Sequence, residues 1–334
     1  MRLSSLLLLG LLLLVLPACQ LFSGTSTPAS PLVGTFVAAT LTSSASGSTL
    51  PAPTQTPTLT FTPTETPEGA IPPQAAPILL PAGEVTILLM GSDQRPHAPD
   101  FRTDTTLLVV LKTDGSVSLV SFPRDLWVYL PDHFMQRINT AQEYGGFELV
   151  KSTFQYNFGF APQSYVLTNF SGFQSIVDSL GGITVQVGET LSDARTGYPG
   201  GYMINPGLVH MDGETALWYA RSRQTTSDLD RLRRAQEVIF AIGKKLLNQN
   251  GLTRIPQLYS AFRSAIVTDL TLQNVVNFLP ILQSVNLNKI QRYAISTDQV
   301  IPFVTSGGAD VLLPRPDAIR QLLLQALGNS TSPR

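Results

Sequence analysis

The sequence is poor in charge, cysteine and histidine, and each shortage excludes a class of protein or site. Charged residues make up 13% of the 334 residues, against about 25% in an average protein. The formal net charge is −1, so the broad basic face of a nucleic-acid-binding protein is not expected. The single cysteine, Cys19, excludes a disulfide within the chain. The three histidines, His97, His133 and His210, lie far apart and predict no zinc site.

The apolar run near the start of the chain is too short for a comfortable membrane span of about 20 residues. Arg2 and the leucine-rich residues 6–16 predict that residues 1–19 are an export signal. The signal closes on Cys19 and is similar to that of a bacterial lipoprotein, in which Cys19 becomes the lipidated first residue. Pro17 is unusual in such a signal, so an ordinary signal with an incidental cysteine stays open. Both interpretations place the rest of the chain outside the cytoplasm.

A long segment after the signal has the composition of a tether. Residues 20–82 are dominated by Ser, Thr, Pro, Ala and Gly, without helical or alternating spacing. Such a segment cannot bury enough apolar surface to offset its ordering entropy, so we expect a disordered, extended tether. Residues 83–330 are long enough for one folded domain.

The few charges of this domain are concentrated in arginine–aspartate clusters. Guanidinium forks bind phosphate oxygens in pairs, and carboxylates hold magnesium through oxygen. Clusters of both kinds therefore favour a site for a polyphosphate and its divalent cation. The five clusters are residues 93–95, 102–104, 123–125, 221–223 and 228–234.

A predicted hairpin brings two of these clusters together. Asp114-Gly115 lies between two apolar runs, which is a strong hairpin signal. Antiparallel pairing of those runs would place Asp104, at the start of one strand, near Arg124, at the end of the next. A buried strand is also predicted at residues 85–90, with Asp93 just beyond its carboxyl end.

Helical spacing follows in several later segments. Residues 171–180 and 213–220 predict helices, and a longer helix begins near Arg231, capped by Asp228 or Asp230. Amides at the start of that helix would add to anion binding. Because strands and helices interleave, the predicted fold class is α/β, a three-layer α/β/α sandwich with a mixed central β-sheet.

These residues, in this order, resemble the LytR-CpsA-Psr family of bacterial cell-envelope proteins. The resemblance covers about residues 85–245, and its segments together are far more specific than any one of them. It rests on residues 88–95, 102–105, 120–125, 137–141, 145–146, 173–182, 211–223 and 227–236.

The resemblance implies a phosphotransferase acting outside the cytoplasm. Such a protein moves a glycan phosphate, for example a teichoic acid or capsule chain, from a polyprenyl-pyrophosphate carrier to a peptidoglycan acceptor. It implies a deep apolar pocket for the lipid tail and a location at the extracytoplasmic face of the bacterial cytoplasmic membrane. The anchor expected here is a lipid on Cys19, where many relatives use a transmembrane helix.

The resemblance also assigns roles by position. Asp93 and Asp104 match the carboxylates that hold Mg²⁺ or Mn²⁺. Asp93 or Asp125 is expected to take the proton of the attacking sugar hydroxyl, and the sequence does not choose between them. Five arginines match residues that contact the pyrophosphate: Arg102, Arg124, Arg221, Arg223 and Arg231. Of these, Arg102 and Arg124 are also assigned a catalytic role.

One position departs from the family pattern. Relatives usually carry two glutamines after the arginine that matches Arg234, and here the first is Ala235 while Gln236 remains. Losing an amide that contacts the ligand costs about 1–3 kcal/mol. Two alternatives stay open beside the transferase. A hydrolase of polyprenyl pyrophosphates would use the same site with water as acceptor, and Ala235 favours a non-catalytic lipoprotein that binds polyprenyl phosphates.

Overall fold

The computed structural model describes residues 69–95, 101–223, 227–248, 259–260 and 262–328. The predicted signal at residues 1–19, with Cys19, lies outside these residues, as does the predicted tether up to residue 68. Within the described ranges, the helices are too short or too polar to cross a membrane.

The described elements alternate between strands and helices, as predicted. The strands are β1 (Val85–Ser92), β2 (Thr103–Leu111), β3 (Val117–Phe122), β4 (Trp127–Tyr129), β5 (Met135–Arg137), β6 (Ser164–Thr168), β7 (Ile183–Val187), β8 (Leu191–Arg195), β9 (Tyr198–Ile204), β10 (Gly207–Met211), β11 (Val267–Thr268), β12 (Ile290–Ala294), β13 (Val300–Val304) and β14 (Asp310–Pro314). The helices are α1 (Ala141–Phe158), α2 (Phe170–Ser179), α3 (Gly213–Arg221), α4 (Asp228–Asn248), α5 (Leu272–Asn277), α6 (Leu279–Ser284) and α7 (Pro316–Ala326).

Six strands form the central sheet in the order β11-β6-β1-β2-β3-β12. The pairs β1–β2, β2–β3 and β6–β11 are antiparallel, whereas β1–β6 and β3–β12 are parallel. Helices α1 and α7 contribute to the core on one face, and α4 packs near the other. This is the α/β/α arrangement with a mixed sheet that the sequence predicts.

Alternation along the strands separates the two faces of the sheet. In β1, Leu88 and Met90 are buried in the main core with Phe122, Phe154 and Leu323. The residues between them on the strand point to the opposite face, because successive side chains of a strand alternate. These are only half-buried, which gives β1 its regular pattern of burial.

The predicted hairpin is confirmed. Strands β2 and β3 pair antiparallel, with Thr106 opposite Phe122. The Asp114 carboxylate accepts hydrogen bonds from both the backbone N–H and the hydroxyl of Ser116. Gly115 has a φ of +78°, and a Cβ there would lie 2.2 Å from a backbone oxygen of Ser284. The turn therefore requires glycine for its conformation and for its close packing.

Helix α4 begins at Asp228, three residues before the predicted Arg231. Its first turn is closed by Ser227 rather than by a cap at Asp228 or Asp230. The Ser227 hydroxyl accepts the Asp230 N–H, and the Asp230 carboxylate accepts the Ser227 N–H in return. This reciprocal pair leaves the Asp228 carboxylate to face an arginine instead.

Chain before Gly83 packs on the domain. Ile78 is buried in the main core. The backbone N–H groups of Ala75 and Ile78 donate to carbonyls at the end of α1. Arg320 in α7 donates to the carbonyls of Ala76 and Pro77. The structured chain thus includes residues that the sequence assigns to the tether, because composition alone does not reveal their long-range partners.

Candidate functional site

A cavity of about 600 Å³ lies between the central sheet and α4. It occupies the face of the sheet opposite the main core. Most of its lining is aliphatic or aromatic, so it would take an apolar ligand. The lining includes Ile87, Leu89, Leu107, Val109, Phe173, Val238, Ile239, Ile242, Leu246 and Phe262.

One polar group of residues lines the same cavity. Five of the predicted site residues belong to it, although they come from four separate stretches of chain. They are Asp104, Arg124, Arg221, Arg223 and Arg231. An apolar cavity with a cationic cluster in its wall is suited to an amphiphile that has an anionic head.

Arg124 is held between two carboxylates. Its Nη1 lies 3.1 Å from Asp104 Oδ1, and its Nε lies 3.2 Å from Asp125 Oδ2. Burial disfavours the charge of Arg124, but the two carboxylates outweigh burial and raise its pKa above the ordinary value. The predicted hairpin contact between Asp104 and Arg124 is therefore present.

Arg231 is almost fully buried, at 5% exposure. Its Nε and Nη2 donate to the two oxygens of Asp228 at 2.9 and 3.2 Å, and its Nη1 donates to the carbonyl of Asp104 at 2.9 Å. Burial alone would raise the pKa of Asp228, but the hydrogen bonds and charge of Arg231 hold it below the ordinary value. Asp228 thus fixes the guanidinium plane of Arg231.

The other two arginines are more exposed. The guanidinium carbon of Arg221 lies 3.8 Å from the centroid of the Phe170 ring. Burial lowers the pKa of Arg221, and the neighbouring Asp104 partly offsets this effect. Arg223 Nη2 lies 3.7 Å from Asp228 Oδ1, and its backbone N–H donates to Asp193 at 2.8 Å.

Asp93 and Arg102 lie at the adjoining strand ends and are not among the cavity-lining residues. The Arg102 N–H donates to Asp93 Oδ1 at 2.7 Å, and the Asp93 N–H donates to the Arg102 carbonyl at 3.1 Å. The Arg102 side chain is exposed. Ser92, next to Asp93, pairs with Thr103, next to Asp104, so the backbone of Asp93 lies beside the strand end whose Asp104 contacts Arg124.

Arg137 is a site residue to which sequence reasoning gave no role. Its Nε lies 3.2 Å from Asp125 Oδ1, and its Nη2 donates to the Asp310 carbonyl at 2.7 Å. Strand pairing sets this position, because Arg137 lies opposite Trp127 in the β4–β5 ladder. The available signal was its place in the family segment 137–141.

The remaining arginines of α4 point away from the cavity. Arg234 is buried at 1% exposure and donates to the carbonyls of Tyr219 and Ser222 at the end of α3. Arg233 pairs with Glu237 at 2.8 Å. These two side chains stabilise helix packing, since neither belongs to the cavity lining.

Ala235 lines the cavity, whereas Gln236 does not. The Gln236 amide is buried and donates to the Ser121 hydroxyl at 2.9 Å and to the Tyr293 carbonyl at 2.7 Å. The glutamine that this chain retains therefore ties α4 to the sheet. The position that departs from the family pattern is the one facing the ligand space.

The residues present fit a magnesium ion only in combination with a ligand. Among the described residues, no group of three or more His, Cys, Asp or Glu side chains is arranged to hold a metal. Asp93 and Asp104 nevertheless lie at the paired ends of β1 and β2, and Mg²⁺ is commonly bound by one or two carboxylates plus substrate phosphates. The donor set is thus suitable once a phosphate is bound.

Fold and site together define a class: an α/β/α protein whose apolar cavity carries an arginine cluster in its lining. The chain belongs to the LytR_cpsA_psr family, whose model matches residues 45–322.

Two curated relatives illustrate the family. The chain is 31% identical over 205 residues to the polyisoprenyl-teichoic acid–peptidoglycan teichoic acid transferase TagU of Oceanobacillus iheyensis, covering 58% of this chain and 62% of TagU. It is 27% identical over 192 residues to the regulatory protein MsrR of Staphylococcus aureus, covering 56% of this chain and 57% of MsrR. The chain therefore spans somewhat less than two thirds of either relative.

Solved structures show the same fold. The structure of Bacillus subtilis TagV matches with a TM-score of 0.63 at 22% identity, covering 74% of this chain and 98% of TagV. TagT bound to LIIa-WTA matches with a TM-score of 0.58 at 22% identity, covering 73% of this chain and 91% of TagT.

Proposed function

We propose that the protein transfers a glycan phosphate from a polyprenyl-pyrophosphate carrier to peptidoglycan. One observation carries the proposal: the apolar cavity of about 600 Å³ and the cluster of Arg124, Arg221, Arg223 and Arg231 share one wall. A polyprenyl tail and its pyrophosphate would satisfy both parts at once. The name of TagU describes a teichoic acid transferase that acts between polyisoprenyl-teichoic acid and peptidoglycan, and TagT has been solved bound to LIIa-WTA; both support the proposal.

The arginines would provide most of the transition-state stabilisation. Phosphoryl transfer depends mainly on positioning and on stabilising charge on the phosphoryl oxygens. Arg124 and Arg231 are held by carboxylates and would bind the pyrophosphate in a fixed geometry. Arg221 and Arg223, which are more exposed, would neutralise charge on the departing polyprenyl phosphate. Arg102 would reach the head group from the strand end.

A carboxylate would accept the proton of the attacking sugar hydroxyl. Asp125 already contacts Arg124 and Arg137, so it is better suited to orient Arg124. Asp93, which holds a backbone N–H, is then the preferred base. Asp93 and Asp104 would also hold Mg²⁺ or Mn²⁺, which when bound supplies positive charge to the phosphate oxygens.

The location follows from the substrate. A polyprenyl carrier lies in a membrane, so the domain must work close to its surface. We place it at the extracytoplasmic face of the cytoplasmic membrane, with Cys19 lipidated and the following Ser/Thr/Pro-rich segment as tether.

A reconstituted reaction tests the proposal. Purified full-length protein is mixed with a lipid-linked glycan donor, with and without peptidoglycan fragments. Transfer predicts glycan on the fragments only when the protein is present, and an Arg124→Ala variant should lose at least a hundredfold in rate. Glycan release without an acceptor would indicate the hydrolase instead. Unchanged turnover in Arg124→Ala or Asp104→Ala would refute the catalytic assignment.

A non-catalytic binding role is the second candidate, and Ala235 favours it. The methyl group at this position supplies no amide to a ligand in the cavity. A protein that binds the lipid donor tightly but yields neither transfer nor hydrolysis would fit this role.

A further inference from the structure

Three aromatic side chains meet at the tip of the β4–β5 hairpin, outside the cavity. The ring of Tyr144 lies 5.5 Å from that of Phe134 and 5.9 Å from that of His133, and the rings of His133 and Phe134 are 6.2 Å apart. Phe134 is 46% exposed and Tyr144 is 45% exposed. Exposed rings that contact one another form a patch, and exposed apolar patches are candidate binding surfaces.

The backbone on both sides of this aromatic cluster is specialised. Asp132, in the hairpin turn, has a φ of +64° and is the non-glycine residue with positive φ in the described chain. On the other side, Gly145 and Gly146 interrupt the helical geometry of α1, and Gly146 has a φ of +60°. The kink separates the first turn, with Tyr144, from the rest of α1. Glycine adopts such a φ freely, but at Asp132 a positive φ is less favourable, and residues of that kind are concentrated at functional sites.

The aromatic cluster is connected to the arginine site by one short strand. Strand β5 runs from Met135, next to Phe134, to Arg137, which contacts Asp125 beside Arg124. Three residues of strand span about 10 Å. A ligand lying along the hairpin would thus reach from the aromatic rings towards the pyrophosphate site.

The chemistry of the cluster suits a sugar chain. Aromatic rings pack against the C–H faces of pyranose rings, while neighbouring carboxylates and amides bond the hydroxyls. Asp132, Gln136 and Glu143 lie within two residues of the three rings in the sequence. The two carboxylates would repel an anionic membrane surface, which instead attracts lysine and arginine.

A second group of exposed aromatic rings is already in contact with a cation and is less accessible to a ligand. Tyr198 and Tyr202 lie near each other on β9, but the guanidinium carbon of Arg195 lies 5.1 Å from the first ring centroid and 4.3 Å from the second. Within the described chain, no cation contact of this kind occupies Phe134 or Tyr144.

We propose that His133, Phe134 and Tyr144 form a stacking platform for the glycan chain of the peptidoglycan acceptor. This inference rests on the proposed transferase function, which it extends by assigning the acceptor to a particular surface. The platform binds acceptor and not lipid donor. Its loss therefore affects one substrate of the reaction and spares the other.

Direct binding tests the platform without requiring activity. The full chain, immobilised, is titrated with an uncrosslinked peptidoglycan glycan fragment. Phe134→Ala and Tyr144→Ala should each raise the Kd about three- to tenfold, the scale of one aromatic contact. Tyr198→Ala is the matched control, because Tyr198 is also 46% exposed, and it should leave the Kd unchanged. Thermal unfolding of each variant checks that the fold is intact.

The outcomes separate this inference from the proposed function. Glycan binding that depends on Phe134 and Tyr144, in a protein that shows no transfer, would support the platform and refute the transferase. In an active protein, both substitutions should raise the KM for acceptor and leave the KM for lipid donor unchanged. An unchanged Kd in both variants, a loss caused by Tyr198→Ala, or binding of the rings to anionic lipid vesicles in place of glycan would overturn the platform.

Discussion

The guanidinium of Arg137 lies 3.2 Å from Asp125, whose other oxygen lies 3.2 Å from Arg124. Asp125 thus joins a proposed phosphate ligand to an arginine that contacts no proposed substrate. The backbone of Asp125 is held as well, because its carbonyl accepts the Leu312 N–H at 2.9 Å. The orientation of Arg124 is therefore set by Asp125, which is itself held by Arg137 and by the backbone of β14.

We expect Asp125→Asn to lower kcat/KM for the lipid donor about tenfold, because a charged hydrogen bond that orients Arg124 is lost. Arg137→Gln should have a similar effect. Since both act through Arg124, the double variant should be little worse than either single one. Arg233→Gln, which breaks a pair outside the cavity, is the control. Fully additive losses in the double variant would contradict the positioning role.

Ala235→Gln should increase activity. The side chain at this position faces the cavity, so a glutamine there would return an amide donor to the ligand space. We expect about a tenfold gain in donor affinity, equivalent to one hydrogen bond to a charged group. Ala235→Leu, which adds volume without a donor, is the comparison. If Leu and Gln act alike, the effect comes from packing and the amide has no role.

Gly243→Leu should stabilise the protein and impair it. Gly243 lines the cavity within α4, and apart from its chain neighbours and the adjoining helix backbone no described atom lies within 4 Å of a Cβ placed there. Replacing a helical glycine should add about 1 kcal/mol of stability, or about 2–4 °C in Tm. The new side chain would fill cavity space that the proposed lipid tail would occupy.

The effect of Gly243→Leu is measured as the transfer rate with two donors that differ in the length of the polyprenyl tail. A full-length polyprenyl donor should react several-fold more slowly, while a donor cut to one or two isoprene units should react as before. Gly243→Ala shares the helix effect but adds only a methyl group, so it should retain activity. Equal losses with both donors would show that the cavity does not hold the tail.

Acid should weaken the protein partly through Asp228. The pKa of this carboxyl is lower in the folded chain than its ordinary value of 3.8. The resulting stabilisation is complete above the unfolded pKa and is lost as pH falls through the folded pKa. Urea unfolding of wild type and Asp228→Asn between pH 2 and pH 7 measures it. The stability difference should be constant near neutral pH and shrink below about pH 4; a constant difference throughout would refute the assignment.

Local signals predicted the elements that position the site. Asp114-Gly115 defined the β2–β3 hairpin, and with it the contact between Asp104 and Arg124. The helical spacing of residues 171–180 predicted α2, which runs from Phe170 to Ser179. Such patterns suffice because turns, caps and alternation depend on neighbours in sequence.

Long-range partners were not predictable in the same way. The pairing of Arg137 with Asp125, and of Arg231 with the Asp104 carbonyl, depends on how separate elements dock. The packing of Ile78 and the burial of Arg234 under α3 likewise require the assembled fold. Ala235 faces the cavity and Gln236 faces the sheet because of the rotation of α4 about its axis. A helical period in the sequence predicts that rotation only approximately. Sequence thus identified the arginines and left their division into ligand-facing and supporting groups to the structure.

One face of the central sheet packs against the protein core, whereas the other faces the cavity. Leu88 and Met90 pack on side chains of the same chain, whereas Ile87 and Leu89 face the cavity. If a polyprenyl tail fills that space, half of the sheet's apolar surface is covered by a guest molecule. Occupied protein should then melt at a higher temperature than free protein. The cavity is about as apolar as the bilayer, so the polyprenyl phosphate gains little free energy when it returns to the membrane. We therefore expect product release, and not the phosphoryl step, to limit kcat.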